Sequence, residues 1–113
     1  MKLASLLGDI RVSRVNGRQV RRQGDVVRLL KPDPDIASLH ARAQNVQPGG
    51  LFVAIQGYAA DGHTYINQAL ESGAVAVVVQ KPVNLSSGIP LIEVEDTRRA
   101  LAALAACFYG HPS

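Results

Sequence analysis

The sequence predicts a single α/β domain, built as a mixed sheet with a parallel βαβ core and an amino-terminal β-hairpin. Two continuous apolar runs, 51–55 and 74–79, are typical of strands that are covered on both faces. An alternating segment that ends in Asn16 and Gly17 indicates a hairpin, because both residues tolerate positive φ. The length of 113 residues, with 47% hydrophobic and 19% charged residues, suffices for one core and excludes a disordered chain.

Residues 1–35 form the basic, hairpin-containing part of this predicted domain. The segment 10–15 alternates apolar and polar residues, as a half-buried strand does. After the turn, we expect Val20 and the segment 26–30 to supply return strands. This part would lie at one edge of the sheet.

Residues 36–113 form the predicted βαβ core. In chain order, its elements are a weak strand at 36–41, a strand at 51–55, a helix at 64–72, a strand at 74–79, a strand at 91–94 and a helix at 97–109. Because a strand–helix–strand unit closes by a right-handed crossover, strands 51–55 and 74–79 are expected to be adjacent, parallel and central. In the helix 64–72, Tyr65 and Ile66 share one apolar face with Ala69 and Leu70.

The composition excludes several kinds of site. One cysteine offers no disulfide framework and few zinc sites, and we expect no metal site. No apolar run approaches the ~18 residues of a membrane span, and the amino terminus has no secretory pattern, so a cytoplasmic protein without a membrane partner is expected. An aromatic content of 4% disfavours a base-stacking nucleic-acid surface. No phosphate loop of the form G-x-x-x-x-G-K-S/T occurs, so this chain should bind no cofactor by that means.

The charge is unevenly distributed along the chain. Up to Arg42 there are nine lysines and arginines against four acidic residues, a balance of +5. From Ala43 onward there are three against five, a balance of −2. The basic part is either a solvated surface or a site for an anionic partner.

The loop 56–62 is the best candidate for a ligand site. It leaves the carboxyl end of a predicted parallel strand and opens a helix, and ligands of open α/β sheets collect at such ends. His63 follows this loop. It either contacts a ligand or is exposed while Asp61 caps the helix.

Several segments together resemble the amino-terminal domain of the Mur ligases of peptidoglycan synthesis. They are Val-Gln-Pro-Gly-Gly-Leu-Phe-Val-Ala-Ile-Gln-Gly-Tyr-Ala-Ala-Asp-Gly-His at 46–63, the strand at 73–79, Val-Glu-Asp-Thr-Arg at 94–98 and Phe-Tyr-Gly-His-Pro-Ser at 108–113. The last of these resembles the domain junction of the branch that adds the third peptide residue, 2,6-diaminopimelate or L-lysine. The resemblance covers roughly residues 36–113.

The resemblance implies a division of labour between domains. The first domain of that family holds the uridine diphosphate part of a UDP-N-acetylmuramoyl dipeptide substrate, and the next domain binds ATP and Mg²⁺. The reaction forms an acyl phosphate that an amine then attacks. This chain is therefore expected to be the substrate-anchoring domain of a cytoplasmic ATP-dependent ligase, inactive alone, with the remaining ligase domains following Ser113 as its partners.

The resemblance also implies a set of site residues. The positions expected to bind the UDP moiety are Ala41, Ala43, Tyr58, Ala59, Ala60, Asp61, Gly62 and His63. Where the family carries Asp-Ser-Arg, this chain has Arg42-Ala43-Gln44, so the serine hydroxyl is missing and Arg42 is a possible pyrophosphate contact. Two alternatives stay open: a diverged, non-catalytic binding module without UDP affinity, and the related ligase that adds D-alanyl-D-alanine.

Overall fold

The computed structural model describes residues 1–8, 10–30, 33–55, 62–83 and 88–110. Within these ranges the strands are β1 (Val12–Val15), β2 (Arg18–Gln19), β3 (Ser38–His40), β4 (Gly50–Val53), β5 (Ala76–Val79) and β6 (Leu91–Val94). The α-helices are α1 (Leu3–Leu6), α2 (Gln23–Leu29), α3 (Ile66–Glu71) and α4 (Thr97–Phe108), and 3₁₀ turns occur at Ala43–Asn45 and Gly62–Tyr65. None of the described helices has the length and apolarity needed to cross a membrane.

The strands form one mixed sheet in the order β2-β1-β6-β5-β4-β3. Strands β3, β4, β5 and β6 run parallel, whereas β1 is antiparallel to both β6 and β2. The predicted α/β fold with a parallel core and a hairpin at one edge is therefore confirmed. The basic amino-terminal part joins the core through the pairing of β1 with β6.

The two central strands separate two apolar cores. All four residues of β4 and all four of β5 are buried, and Phe52 pairs with Val77 in parallel register. Because side chains alternate along a strand, Leu51 and Val53 point to the core that contacts α1, α2 and α4, whereas Phe52 and Val77 point to the core beneath α3. Burial on both faces is the physical reason for the continuous apolar runs, and the prediction that these strands are adjacent, parallel and central is confirmed.

The hairpin turn has the predicted geometry. Asn16 and Gly17 have φ angles of 54° and 81°, as a two-residue turn with two left-handed positions requires. Asn16 also fixes the turn to the sheet: its amide donates to the Leu91 carbonyl, and its Oδ1 accepts from the Leu91 amide, each at 2.8 Å.

The expectation that 26–30 forms a return strand is wrong, because this segment lies in helix α2 and its C-cap. Val26 and Leu30 are buried while Val27 is 61% exposed, which is the i, i+4 spacing of a helix face. Val20 lies just beyond the short β2 and donates its amide to the Ser13 carbonyl at 2.9 Å. The consecutive valines 26 and 27 favour a strand, but the burial of Val26 and Leu30 on one face stabilises a helix instead.

Asp25 stabilises the start of helix α2. Its Oδ2 accepts from the amides of Arg21 and Arg22 at 3.1 and 3.2 Å, so the carboxylate satisfies donors that precede the first turn. These backbone hydrogen bonds, with a further contribution from Arg28, hold the pKa of the Asp25 carboxyl below its usual value.

Two glycines join the start of β4 to the end of α3. Gly49 has a φ of 88°, and the Gly50 amide donates to the Gln47 carbonyl at 2.9 Å, which closes the predicted turn. Gly73 ends α3 with a φ of 105°, and its carbonyl accepts from the Gly49 amide at 3.0 Å. A Cβ at Gly73 would lie 2.6 Å from the Pro48 Cα, so only glycine fits between helix and turn.

Candidate functional site

The carboxyl ends of the parallel strands β3, β4, β5 and β6 lie along one edge of the sheet. At the ends of β3 and β4 this edge contains a cavity of about 360 Å³. The described residues that line it are Ala41, Arg42, Ala43, Gln44, Phe52, Ile55, Tyr65 and Gln68. A cavity at this place agrees with the rule that open α/β sheets bind ligands outside the carboxyl ends of their strands.

The structure brings three of the expected site residues to this cavity. Ala41 and Arg42 are exposed on its rim, and Ala43 is 6% exposed at the start of the 3₁₀ turn. Gly62 begins the second 3₁₀ turn, which ends at the cavity-lining Tyr65. The expected contacts Tyr58, Ala59, Ala60 and Asp61 lie outside the described residues.

Three polar members of the lining were not among the predicted site residues: Gln44, Tyr65 and Gln68. Tyr65 was expected on the buried face of a helix over 64–72, but it is 45% exposed and faces the cavity. The helical turn before Ile66 is 3₁₀ rather than α, which rotates Tyr65 off the core stripe. Tyr65 and Gln68 are three residues apart, and this spacing could have predicted that they lie on the same side of the helical segment.

His63 has a structural contact that neither sequence alternative anticipated. Its ring is half-buried, and Nε2 accepts from the Gln80 amide at 3.0 Å, directly after β5. In the neutral imidazole the proton is therefore on Nδ1. This bond attaches the start of the second 3₁₀ turn to the end of β5.

Gln80 extends this contact to helix α4. Its Oε1 accepts from the Thr97 amide at 3.1 Å and from the Thr97 hydroxyl at 2.8 Å, and Thr97 is fully buried. The chain from His63 through Gln80 to Thr97 fixes three elements at the edge of the sheet that holds the cavity. Asp96 completes the start of α4, since its Oδ1 accepts from the amides of Arg98 and Arg99.

The cavity combines apolar surface with positive charge. Phe52 is fully buried at its base, and Tyr65 provides an accessible aromatic ring at its side. Arg42 makes no ion pair with any carboxylate in the part of the chain that the structure describes, and no described carboxylate lines the cavity. The described ranges contain no group of three or more His, Cys, Asp or Glu side chains placed to hold a metal ion. Such a lining suits a ligand that carries both a ring and an anionic group.

Comparison with known proteins identifies the family. The family model described as "Mur ligase family, catalytic domain" matches residues 35–109. This chain belongs to the Mur ligase family. The matched range contains β3 to β6 and the cavity between β3, β4 and α3, so the Mur ligase assignment covers the whole candidate site.

Two Mur ligase relatives show how the chain aligns. The UDP-N-acetylmuramoyl-L-alanyl-D-glutamate--2,6-diaminopimelate ligase of Geobacillus thermodenitrificans is 42% identical over 113 residues, which is all of this chain and 20% of that protein. The protein of the same name from Halalkalibacterium halodurans is 49% identical over 81 residues, which is 72% of this chain and 16% of that protein. The chain thus spans a fifth or less of the length of these relatives.

Two solved Mur ligase structures share the fold. The UDP-N-acetylmuramoylalanyl-D-glutamyl-2,6-diaminopimelate--D-alanyl-D-alanyl ligase from Acinetobacter baumannii superposes with a TM-score of 0.55 at 28% identity, over 64% of this chain and 16% of that one. The MurF ligase from Thermotoga maritima in complex with ADP gives 0.53 at 32% identity, over 60% of this chain and 16% of that one. Both identities are below those of the two relatives above.

Proposed function

We propose that this chain is the amino-terminal, substrate-anchoring domain of an ATP-dependent ligase that adds the third residue to a UDP-N-acetylmuramoyl dipeptide in peptidoglycan synthesis. The observation that carries the proposal is the 42% identity over the complete chain to a ligase whose name states this reaction. The alternative that adds D-alanyl-D-alanine is supported by fold and by 28–32% identity over part of the chain. The third-residue assignment therefore has the stronger support.

The cavity at the ends of β3 and β4 is the proposed place of the UDP moiety. Tyr65 and the base of the cavity offer apolar surface to a ring, and the exposed guanidinium of Arg42 offers a fork that fits a phosphate oxygen pair. Ala41 and Ala43 leave room for close approach of the ligand. Tyr58, Ala59, Ala60, Asp61, Gly62 and His63 are proposed to close the site from the loop side.

The intact ligase would require further components. ATP and Mg²⁺ are proposed to bind in domains beyond this segment, which has no phosphate loop of its own. We place the intact protein in the cytoplasm. The isolated chain would bind substrate without converting it.

A titration followed by backbone amide shifts tests the anchoring site. UDP and UDP-N-acetylmuramoyl-L-alanyl-D-glutamate should each shift the amides of 41–44 and 65–68 in a saturable way. Replacing Ala43 by Ser restores the hydroxyl that the family has at this position, and one hydrogen bond of about 0.5–1.5 kcal/mol should tighten UDP binding by up to about tenfold. Ala102→Ser, on the exposed side of α4, is the matched control and should leave the affinity unchanged.

The outcome separates the proposal from its rival. If millimolar UDP shifts no amide around the cavity in either the parent chain or the Ala43→Ser variant, the chain is a diverged module that has lost UDP affinity. If UDP shifts amides only at other places on the sheet and none around the cavity, the assignment of the cavity is wrong.

A further inference from the structure

A second and larger cavity lies on the side of the sheet where the parallel strands end, but beside β1 and β2 rather than β3 and β4. It measures about 580 Å³ and is bounded by the start of β1, the segment that follows β2 and the residue that follows β6. Its described lining, which we call the arginine groove, consists of Gly8, Ile10, Arg11, Val12, Ser13, Gln19, Val20, Arg21, Arg22 and Glu95. It shares no lining residue with the candidate UDP site. The strands β1 and β4, which border the two cavities, are three inter-strand spacings apart, or about 14 Å.

The topology brings the basic residues of the hairpin to this edge. Because β1 is antiparallel to β6, with Val12 opposite Val94, the start of β1 lies beside the carboxyl end of β6. Strand β2 turns back along β1, so Arg21 and Arg22 follow it to the same edge. A neighbouring cavity of about 380 Å³ also contains Arg11 and extends the groove to Arg99 at the start of α4.

Among the described residues, the lining of the groove carries more positive than negative side chains. Arg11, Arg21, Arg22 and Arg99 are all exposed, and none forms an ion pair with a carboxylate of the described residues. Glu95 is the one described carboxylate in the larger cavity. In the smaller cavity the Asp96 carboxylate accepts from two backbone amides of α4. Across the described lining of both cavities, four arginines therefore stand against two carboxylates, those of Glu95 and Asp96.

The lining determines the class of ligand. Several guanidinium forks around one concave surface match the oxygen pairs of phosphate groups. Ile10 and Val12 form a buried apolar base, and no aromatic side chain occurs among the described lining residues, so nothing in this lining would stack on a nucleobase. A cavity of this volume is within the range of small-molecule sites.

We infer that the arginine groove binds a small anion with two or more linked phosphate groups, recognised through its phosphates alone. The phosphates could belong to a free polyphosphate or to a nucleotide, and the groove would treat both alike. This site is independent of the proposed function, because the candidate UDP site uses different residues.

Titration of the complete 113-residue chain with sodium tripolyphosphate at constant ionic strength tests the inference. We expect saturable amide shifts at Val12, Val20 and Arg22. Arg11→Gln and Arg21→Gln should each weaken binding about fivefold, since each removes one exposed guanidinium–phosphate pair. Arg18→Gln is the matched control, because Arg18 is exposed in the same hairpin but does not line the groove.

Further titrations test whether the groove recognises the phosphates alone. Pyrophosphate, ADP and UDP should bind the groove with equal affinity and compete with tripolyphosphate there, whereas uridine, which has no phosphate, should leave the tripolyphosphate affinity unchanged. The inference is overturned if millimolar tripolyphosphate gives no saturable shift, or if Arg18→Gln weakens binding as much as Arg11→Gln. A clear preference for ADP over pyrophosphate would equally contradict recognition through phosphates alone.

Discussion

Replacing Gly73 by Ala should destabilise the domain more than any other single methyl addition at a left-handed glycine that the structure describes. Gly73 has a φ of 105°, where a residue with a side chain is strained by about 1–3 kcal/mol. The new Cβ would also lie 2.6 Å from the Cα and 3.0 Å from the nitrogen of Pro48, which are backbone atoms and cannot rotate away. The Pro48 turn would have to move.

The displaced turn holds the start of a central strand, which makes this movement costly. The Gly73 carbonyl accepts from the Gly49 amide at 3.0 Å, and the same turn leads into the fully buried β4. We expect strain and displacement together to lower the free energy of unfolding by about 3–4 kcal/mol, a large part of the roughly 5–15 kcal/mol of a typical domain. Urea unfolding measures this as a shift in midpoint.

Gly17→Ala separates backbone strain from steric displacement. Gly17 also has a positive φ, 81°, but a Cβ there would meet no atom within 4 Å. Its replacement should cost only the conformational strain, about 1–2 kcal/mol. Equal losses of stability in the two variants would refute the argument that contact with Pro48 decides the requirement for glycine at 73.

Two further predictions concern single side chains. Gln80→Ala should lower the free energy of unfolding in urea by about 1–3 kcal/mol, because the amide and hydroxyl of the buried Thr97 lose their acceptor. Gln47→Ala, at an exposed position, is the control and should leave the free energy of unfolding almost unchanged. Similar losses of stability in the two variants would contradict the role of Gln80. Asp25 has a lowered pKa in the folded state, so its contribution to stability is present above the pKa of the unfolded state and is lost as the pH falls through the folded value. Thermal unfolding of Asp25→Asn should therefore depend less on pH below about 4 than that of the parent chain, and parallel pH profiles would contradict this assignment.

Elements whose signal is local could be predicted from the sequence. Continuous apolar runs predicted β4 and β5, and Asn16 with Gly17 predicted the hairpin turn, because burial on both faces and positive φ each restrict residue type directly. The helix predicted at 97–109 begins at Thr97, with Asp96 as its N-cap. The family resemblance supplied Ala41, Arg42 and Ala43, which the structure places around one cavity.

Features that depend on partners distant in the chain could not be predicted from local patterns and follow from the tertiary fold. The segment 26–30 became a helix because Val26 and Leu30 could be buried together against the sheet, which outweighed the strand preference of paired valines. The ring of His63 accepts from Gln80, seventeen residues away, which its sequence neighbours could not reveal. Arg11, Arg21 and Arg22 line one groove because antiparallel pairing places β1 and β2 beside the end of β6. The pairing of β1 with β6 is a property of non-local packing, and no local sequence pattern predicts it.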